Sequence, residues 1–395
     1  MDTRQGLLTS KISKAIASLA EAALDRSPVS GWTHNFYRYP ARFSPQFASA
    51  AITLFSKPGD TVLDPYMGGG TAIVEGMVAG RYIIGNDVNS LATFITRAKV
   101  GALSSNDMKA IKRWGIQVVP KLSYSLANED VADFIDSEKT RNLSLAKSRF
   151  IKKAIAAALA SIDELPTNQA KRFAKCIVLR VSQWALDGKE RHTPLASFRR
   201  RLADATIEML SANLEFSKKV QQSGGCSSLL HRDADQLPEA RLFSQLGKRA
   251  SLVVTSPPYP GVHVLYHRWQ VDGRRETPAP YWIAGCNDGQ GGAYYNFADR
   301  RDSAVDKYFT KSLATLKAIR QVMRKRGYMI QMVAFNRPTE QLPRYLENMR
   351  EAGFEEIVIA KGNRIWRQVP GRKWHARQKG ETNSAKEVVL VHQAV

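Results

Sequence analysis

The sequence predicts an α/β protein built on a doubly wound sheet, with a helical insert between the two halves of that sheet. Three observations carry this. A short apolar strand at 61–63 runs into Asp64-Pro-Tyr-Met-Gly-Gly-Gly-Thr71, a helix and a second strand, Tyr82-Ile-Ile-Gly85; strand, glycine turn, helix, strand is how such sheets open. Residues 101–220 then change to helical spacing. Strand signals return at Ser228–Asp233, Ser251–Thr255, Gly327–Val333 and Glu387–Val391. The chain divides accordingly into 1–100, which opens the sheet, an insert at 101–227, and 228–395, which completes it.

Taken in order, residues 1–30 read as an amphipathic helix interrupted by charges, followed by an aromatic-rich stretch from Trp32 to Pro45. A helix over 46–56 precedes the turn Pro58-Gly59-Asp60. In the insert, Phe150, Ala154 and Ala158 share one helical face, and Phe173, Ile177, Val181 and Trp184 another. Phe198, Leu202, Ala205, Met209, Ala212 and Phe216 step by fours and threes, the mark of a buried stripe. The β-branched run at 251–255 reads as a buried strand, stopped by Pro257-Pro258, which cannot extend a ladder. Residues 260–303 are rich in Gly and aromatics and read as loops. Helices are expected over 305–325 and 341–352, and Ile357–Ala360 is expected to pair antiparallel with Glu387–Val391.

The charge is the unusual term of the composition. With 58 Lys and Arg against 36 Asp and Glu over 395 residues, the net charge is +22. This favours a polyanionic partner. Hydrophobic residues at 44% exclude wholesale disorder. The start lacks the apolar core and cleavage site of a secretory signal, and no apolar run is long enough to span a bilayer. Cys176, Cys226 and Cys286 are far apart and form no C-x-x-C pair. A zinc site and a disulfide framework are therefore not expected, and a reducing cytoplasm suits the chain.

Four elements carry chemistry. Asp64 to Thr71 joins a strand-end acid to three glycines, whose bare backbone lets a ligand approach. No Gly-Lys-Ser/Thr follows, so the loop is not a P-loop, and it is not G-x-G-x-x-G. Such a loop with an acid suits a ligand bearing a cationic amino group. Asp87 ends the next strand, where an acid binds ribose hydroxyls, although capping a helix would also explain it. Asp233 ends a third strand. Finally, Ser256-Pro257-Pro258-Tyr259 ends a buried strand with a hydroxyl, an extended backbone and a stacking ring. Together these describe a nucleoside pocket with a charged tail.

These residues resemble the S-adenosylmethionine-dependent DNA amino-methyltransferases, which methylate exocyclic amines of cytosine or adenine. The family's glycine motif, Asp-Pro-Phe-x-Gly-Ser-Gly-Thr, stands here as Asp64-Pro-Tyr-Met-Gly-Gly-Gly-Thr71. Its Ser/Asn/Asp-Pro-Pro-Tyr motif stands as Ser256-Pro-Pro-Tyr259, the version typical of the cytosine branch. The stretch His34–Pro45, with Tyr39 in it, is similar to the motif just upstream of the glycine loop. The resemblance covers about 34–99 and 228–335, and the order of motifs is similar to a circularly permuted arrangement. It implies a Rossmann-like methyltransferase domain binding S-adenosylmethionine. Asp64, Gly68 and Gly70 would lie round the methionine moiety, with Tyr39, Tyr66 and Thr71 beside them. Asp87 would hold the ribose and Asp233 the adenine amine. Ser256 and the Pro257 carbonyl would take hydrogen bonds from the target amine, Pro258 would hold the turn, and Tyr259 would stack on a base flipped from double-stranded DNA.

A basic segment at 361–380 holds seven Lys and Arg and no acid, with two tryptophans interleaved. Arg364, Trp366, Arg367, Arg372, Lys373 and Trp374 are the candidate phosphate and base contacts. Arg199-Arg200-Arg201, and His263 and His267 behind the catalytic motif, are weaker candidates. A cognate restriction endonuclease is a candidate partner, and a monomer or dimer and a nucleoid-associated place in a bacterial, archaeal or phage-infected cytoplasm follow from the family. Two rivals remain open: an RNA guanine amino-methyltransferase, and a noncatalytic DNA-binding partner of a restriction or defence system.

Overall fold

A computed structural model of the chain describes residues 3–40, 42–123, 135, 138–143, 148–189, 192–260, 268–271, 275–287, 295, 297, 305–357, 364–368 and 386–395. Its strands are β1 Thr61–Asp64, β2 Tyr82–Asp87, β3 Cys226–His231, β4 Ala250–Thr255, β5 Trp269–Val271, β6 Arg275–Thr277, β7 Met323–Ala334, β8 Phe354–Glu356, β9 Ile365–Gln368 and β10 Lys386–Ala394. The main helices are α1 Thr3–Leu24, α2 Pro45–Phe55, α3 Thr71–Val78, α4 Ser90–Val100, α5 Ser105–Arg113, α6 Arg149–Ile162, α7 Asn168–Leu186, α8 Leu195–Ser223, α9 Ala279–Ala284, α10 Val305–Gln321 and α11 Pro338–Glu351.

The central sheet runs β3-β2-β1-β4-β7-β10-β8, with β9 also on β10. The first five strands are mutually parallel. β10 enters antiparallel between β7 and an edge shared by β8 and β9. This is the doubly wound, Rossmann-like sheet expected from the sequence. Strand alternation sorts side chains onto its two faces. Val62, Ile83, Leu252, Val254 and Ile330 pack with α1, α2 and α3. Leu63, Ile84, Val253, Met329 and Val333 pack with α10 and α11. Both faces are thus covered, as parallel strands require.

Between β2 and β3 the described chain is helical. Phe173, Ile177, Val181, Phe198, Leu202, Ala205 and Met209 form a third core with the aromatic stretch (Phe36, Tyr37, Tyr39), with α4, and with Trp269 and Tyr281. Phe216, further along α8, reaches the core under the sheet instead. Two stripe residues leave the core: Phe150 is 38% and Trp184 40% exposed. Each sits in a terminal turn, past the neighbour that buries the rest of its stripe, and takes a cation on its ring, Arg149 and Lys189 respectively.

Three other expectations are corrected. The loop region 260–303 contains the β5–β6 hairpin and α9. β10 is longer than Glu387–Val391 and pairs with β7 as well as with the edge. Its edge partner is Phe354–Glu356 rather than Ile357–Ala360; of that segment Ile357 donates its N–H to Val391 O (2.8 Å), and 358–360 lie outside the described residues.

Candidate active site

Strand order reverses at β1, whose neighbours β2 and β4 lead away in opposite directions. A crevice opens at the carboxyl end of such a switch point. Here it is a cleft of about 830 Å³, its open mouth included, lined by residues that follow four successive strands. Pro65 to Gly69 follow β1, Asn86 to Asn89 close β2, Arg232 to Ala234 follow β3, and Ser256 and Pro258 follow β4. The aromatic stretch adds Tyr39, Arg42 and Phe43, and Tyr295 and Phe297 complete the wall.

The glycine turn is clamped from both sides. Asp87 Oδ2 accepts the Gly68 N–H (2.8 Å), and the buried Lys99 ammonium donates to Gly69 O (2.6 Å). Gly70 caps α3 at φ +73°, and a Cβ there would lie 2.6 Å from Thr96 Oγ1, so conformation and space both demand glycine. Gly68 at φ +46° has the Tyr39 ring over it, 3.1 Å from where a Cβ would stand. Tyr39 is held in turn: its hydroxyl accepts from Asn89 Nδ2 (3.1 Å), while Asn89 Oδ1 caps α4 at Leu91 N (2.9 Å) and accepts from the Tyr281 hydroxyl (3.0 Å).

The three strand-end acids differ. Asp64 is 1% exposed and lies behind the cleft lining, accepting from Thr255 Oγ1 (2.7 Å) and Tyr66 N (3.2 Å). Burial pushes its carboxyl up to about 7. Asp87 lines the cleft, takes Asn89 N on its second oxygen (2.8 Å), and is pushed up to about 6, again by burial. Asp233 lines the cleft in a more open place, with the Lys311 ammonium 3.7 Å away. Among the described residues no Lys or Arg pairs with Asp64 or Asp87.

Ser256 and Pro258 face the same cleft, so the structure brings the Ser-Pro-Pro-Tyr element to the glycine turn. Pro257 is buried behind them. Tyr259 does not face the cleft. Its ring is 3% exposed within the core, and its hydroxyl lies 2.8 Å from Ser256 Oγ and donates to Glu387 Oε1 (2.9 Å). A ring so placed does not stack on a base in the cleft. Among the described aromatics that do line it, Tyr66 and Phe297 meet edge to face at 5.8 Å. Thr71 lines the cleft as expected, whereas Gly70 shapes the turn without lining it.

The basic segment proves different in kind from its composition. Arg364 grips Glu356 with two nitrogens (2.7 and 2.8 Å), and Arg367 grips the buried Glu387 (2.7 Å). Both are tied into the sheet edge: β9 sets Arg367 opposite Glu387 on β10, and Arg364, just before β9, reaches Glu356 on β8, acids 20 and 8 residues away in sequence. Trp366, between them, is 38% exposed. Arg372, Lys373, Trp374, His263 and His267 lie outside the described residues.

Sequence reasoning missed Arg42, Asn89, Lys99, Tyr295 and Glu387. Arg42 lines the cleft and donates to the His34 and Tyr37 carbonyls (2.9 and 3.4 Å), and burial pulls it down to about 10. It stood in an aromatic stretch already singled out, where a lone basic residue was a usable signal. Glu387 carried none.

Residues 21–95 match the model of the DNA methylase family. Two curated relatives agree. The Type II methyltransferase M.MvaI of Kocuria varians is 31% identical over 114 residues, which is 28% of this chain and 24% of that protein. The Type II methyltransferase M.MjaII of Methanocaldococcus jannaschii is 25% identical over 103 residues, 26% of this chain and 19% of that one. The chain thus spans a quarter or less of the relatives it matches. Of solved structures, the rRNA methyltransferase aviRa from Streptomyces viridochromogenes superposes at a TM-score of 0.35 and 12% identity, covering 94% of each chain.

Proposed function

We propose that the protein transfers a methyl group from S-adenosylmethionine to the exocyclic amine of cytosine (N4) or adenine (N6) in DNA, at a specific sequence. The observation that carries this is the single cleft. The glycine turn with Asp87 and Asp233 on one side, and Ser256 with Pro258 on the other, line the same cavity.

The residues present fit the cofactor. Asn86 lines the cleft, and its buried Oδ1 has no hydrogen-bond partner among the described residues, so an acceptor is left for a ligand. Asp64 and Asp87, lifted by burial and with no Lys or Arg paired to them among the described residues, suit a ligand that brings positive charge. Asp87 would hold the ribose, Asp233 the adenine amine, and Gly68 and Gly69 the methionine moiety, with Asp64 behind the turn and Gly70 shaping it. Tyr39, Tyr66 and Thr71 would bound it, and Arg42 would take its carboxylate. When bound, S-adenosylmethionine supplies an electrophilic methyl on a sulfonium.

What the chain does is position the amine. Its lone pair is delocalised into the base and nucleophilically weak. Ser256 Oγ and the backbone of the Pro-Pro turn accept its N–H groups and draw the nitrogen toward tetrahedral geometry. The excess proton passes to water after transfer, so no strong base is needed, and catalysis is positioning and electrostatics. The base would leave the DNA stack at a cost of a few kcal/mol. Trp366 and the 369–380 segment with Arg372, Lys373 and Trp374 would meet DNA, and the helical segment 101–227 would assist recognition. A cytoplasmic site and a cognate endonuclease belong to this reading too; among the described residues no helix is long and apolar enough to cross a membrane.

Purified protein should bind S-adenosylmethionine, and single-molecule sequencing of DNA from cells expressing it should show one newly methylated motif that Ser256→Ala abolishes. Methyl groups on transcripts and none on DNA would replace this reading with an RNA one; no binding of the cofactor would end it.

A further inference from the structure

Resting on the methyl-transfer reading, we infer that Tyr259 and Glu387 are positioning residues that set the polarity of the Ser256 hydroxyl. Three side chains form a hydrogen-bonded line that ends at the cleft: Ser256 Oγ to Tyr259 hydroxyl, 2.8 Å, and Tyr259 hydroxyl to Glu387 Oε1, 2.9 Å. The far oxygen of Glu387 is held by Arg367 through Nε and Nη2, both at 2.7 Å. The Glu387 side chain is only 5% exposed.

Direction follows from proton counting. An ionised carboxylate only accepts, so the single Tyr259 proton points at Glu387. The Tyr259 oxygen then accepts, so the 2.8 Å contact with Ser256 is made by the Ser256 proton. With its proton committed inward, Ser256 Oγ presents lone pairs to the cleft. That is what an amine needs, since it must give up an N–H direction to free its own lone pair. A serine free to rotate could equally point its proton at the amine nitrogen and compete for that lone pair. A line of bonds ending in an anion also polarises each oxygen along it, which strengthens Ser256 as an acceptor.

The register that allows this is non-local. Glu387 opens β10 opposite Ala334 at the end of β7, the strand beside β4, so an antiparallel strand brings its first residues to the edge where the parallel strands end. Arg367 stands opposite Glu387 on β9. The arginine of the basic segment that sequence alone would send to phosphate therefore anchors the line instead.

Two substitutions separate this from a packing role. Tyr259→Phe cuts the line but keeps the ring. In Glu387→Gln, Arg367 selects the amide oxygen, so the NH₂ turns to Tyr259 and donates. Tyr259 then donates to Ser256, and Ser256 points its proton into the cleft. With unmethylated genomic DNA and methyl-labelled S-adenosylmethionine, turnover at saturation should fall about tenfold in Tyr259→Phe and about a hundredfold in Glu387→Gln. KM for DNA and the Kd for S-adenosylmethionine should be unchanged in both. The double variant should recover to the Tyr259→Phe rate, because a reversed line can act only through the tyrosine hydroxyl. A double variant slower than Tyr259→Phe alone, or undiminished turnover in Tyr259→Phe, overturns the inference while leaving methyl transfer standing. If Glu387→Gln loses its cooperative thermal transition, Tyr259→Phe alone decides, by whether turnover falls at constant KM. If the unaltered protein methylates neither DNA nor RNA, both readings fall together.

Discussion

The carboxyl edge of the sheet holds buried acids in two regions that are built in opposite ways. At the ends of β1 and β2, Asp64 and Asp87 are held by hydroxyl and backbone N–H donors, with no guanidinium or ammonium paired to them among the described residues. A few strands away, Glu387 is buried like Asp64 but has Arg367 against it. The difference divides the site into a half that waits for charge and a half that is already neutralised. Burial raises the two aspartates to about 7 and about 6, a cost the fold carries until a cation arrives. Glu387, gripped by Arg367 through two nitrogens, is fixed in place and can serve as an anchor.

Substitutions can break this contrast, the largest effect first. Arg367→Met should strand the Glu387 charge and cost about 3–5 kcal/mol of stability, read by urea denaturation. Replacing Glu387 with Met as well should restore most of that loss; if it does not, Arg367 acts through its other contact, the Ala23 carbonyl. On the waiting side, Asp87→Ala should weaken S-adenosylmethionine about a hundredfold by calorimetry, with a smaller loss of ligand-free stability, about 1–3 kcal/mol, because the Gly68 and Asn89 N–H groups lose their acceptor.

Asp64→Asn tests the sign of the difference directly. The folded carboxyl titrates near 7 and the unfolded one in the ordinary carboxylate range. Between about pH 4 and 7 the folded chain therefore holds a proton that the unfolded chain has released, and ligand-free stability falls as pH climbs through that window. Asparagine removes the fall. The variant should melt a few degrees higher, about 2–4 °C, at pH 8 and be little changed at pH 5, while binding the cofactor more weakly at pH 8. By the same titration, cofactor affinity of the unaltered protein should drop as pH is lowered from 8 to 5. The smallest effect is expected at the partly exposed pair: Arg364→Ala should cost about 1 kcal/mol, and a loss of DNA affinity beyond that would return Arg364 to the phosphate-binding role its composition suggests.

What was legible in the sequence is what is local in the chain. The glycine turn, Asp87 and the Ser-Pro-Pro-Tyr element are each contiguous, and the residues that shape them lie within a few positions. The stripe from Phe198 to Met209 was legible because one helix face meets one core. Arg364 and Arg367 misled because composition counts charges and cannot see a ladder. Glu387 stands opposite Arg367 across the β9–β10 pairing, Glu356 reaches Arg364 from β8, and nothing at either position announces the arrangement. Lys99 reads as the basic last turn of a helix, yet it ends fully buried against the glycine turn 30 residues earlier. Tyr259 kept its motif but not the expected task, because its neighbour in space is set by residue 387.

The place of β10 has a consequence for how the molecule comes into being. It follows every other strand in chain order, yet it lies inside the sheet, between β7 and β8. As the chain leaves the ribosome from its amino end, the glycine turn, α3 and β2 can assemble from neighbouring segments. The far half of the sheet must keep an open edge on β7 until residues 386–394 emerge. Contacts that span so much sequence form late and slowly, and an open parallel edge in the interval invites mispairing. The nascent protein should therefore be able to shape its glycine turn well before Ser256 has Tyr259 and Glu387 to lean on, with β10 closing the sheet only after the strands that precede it.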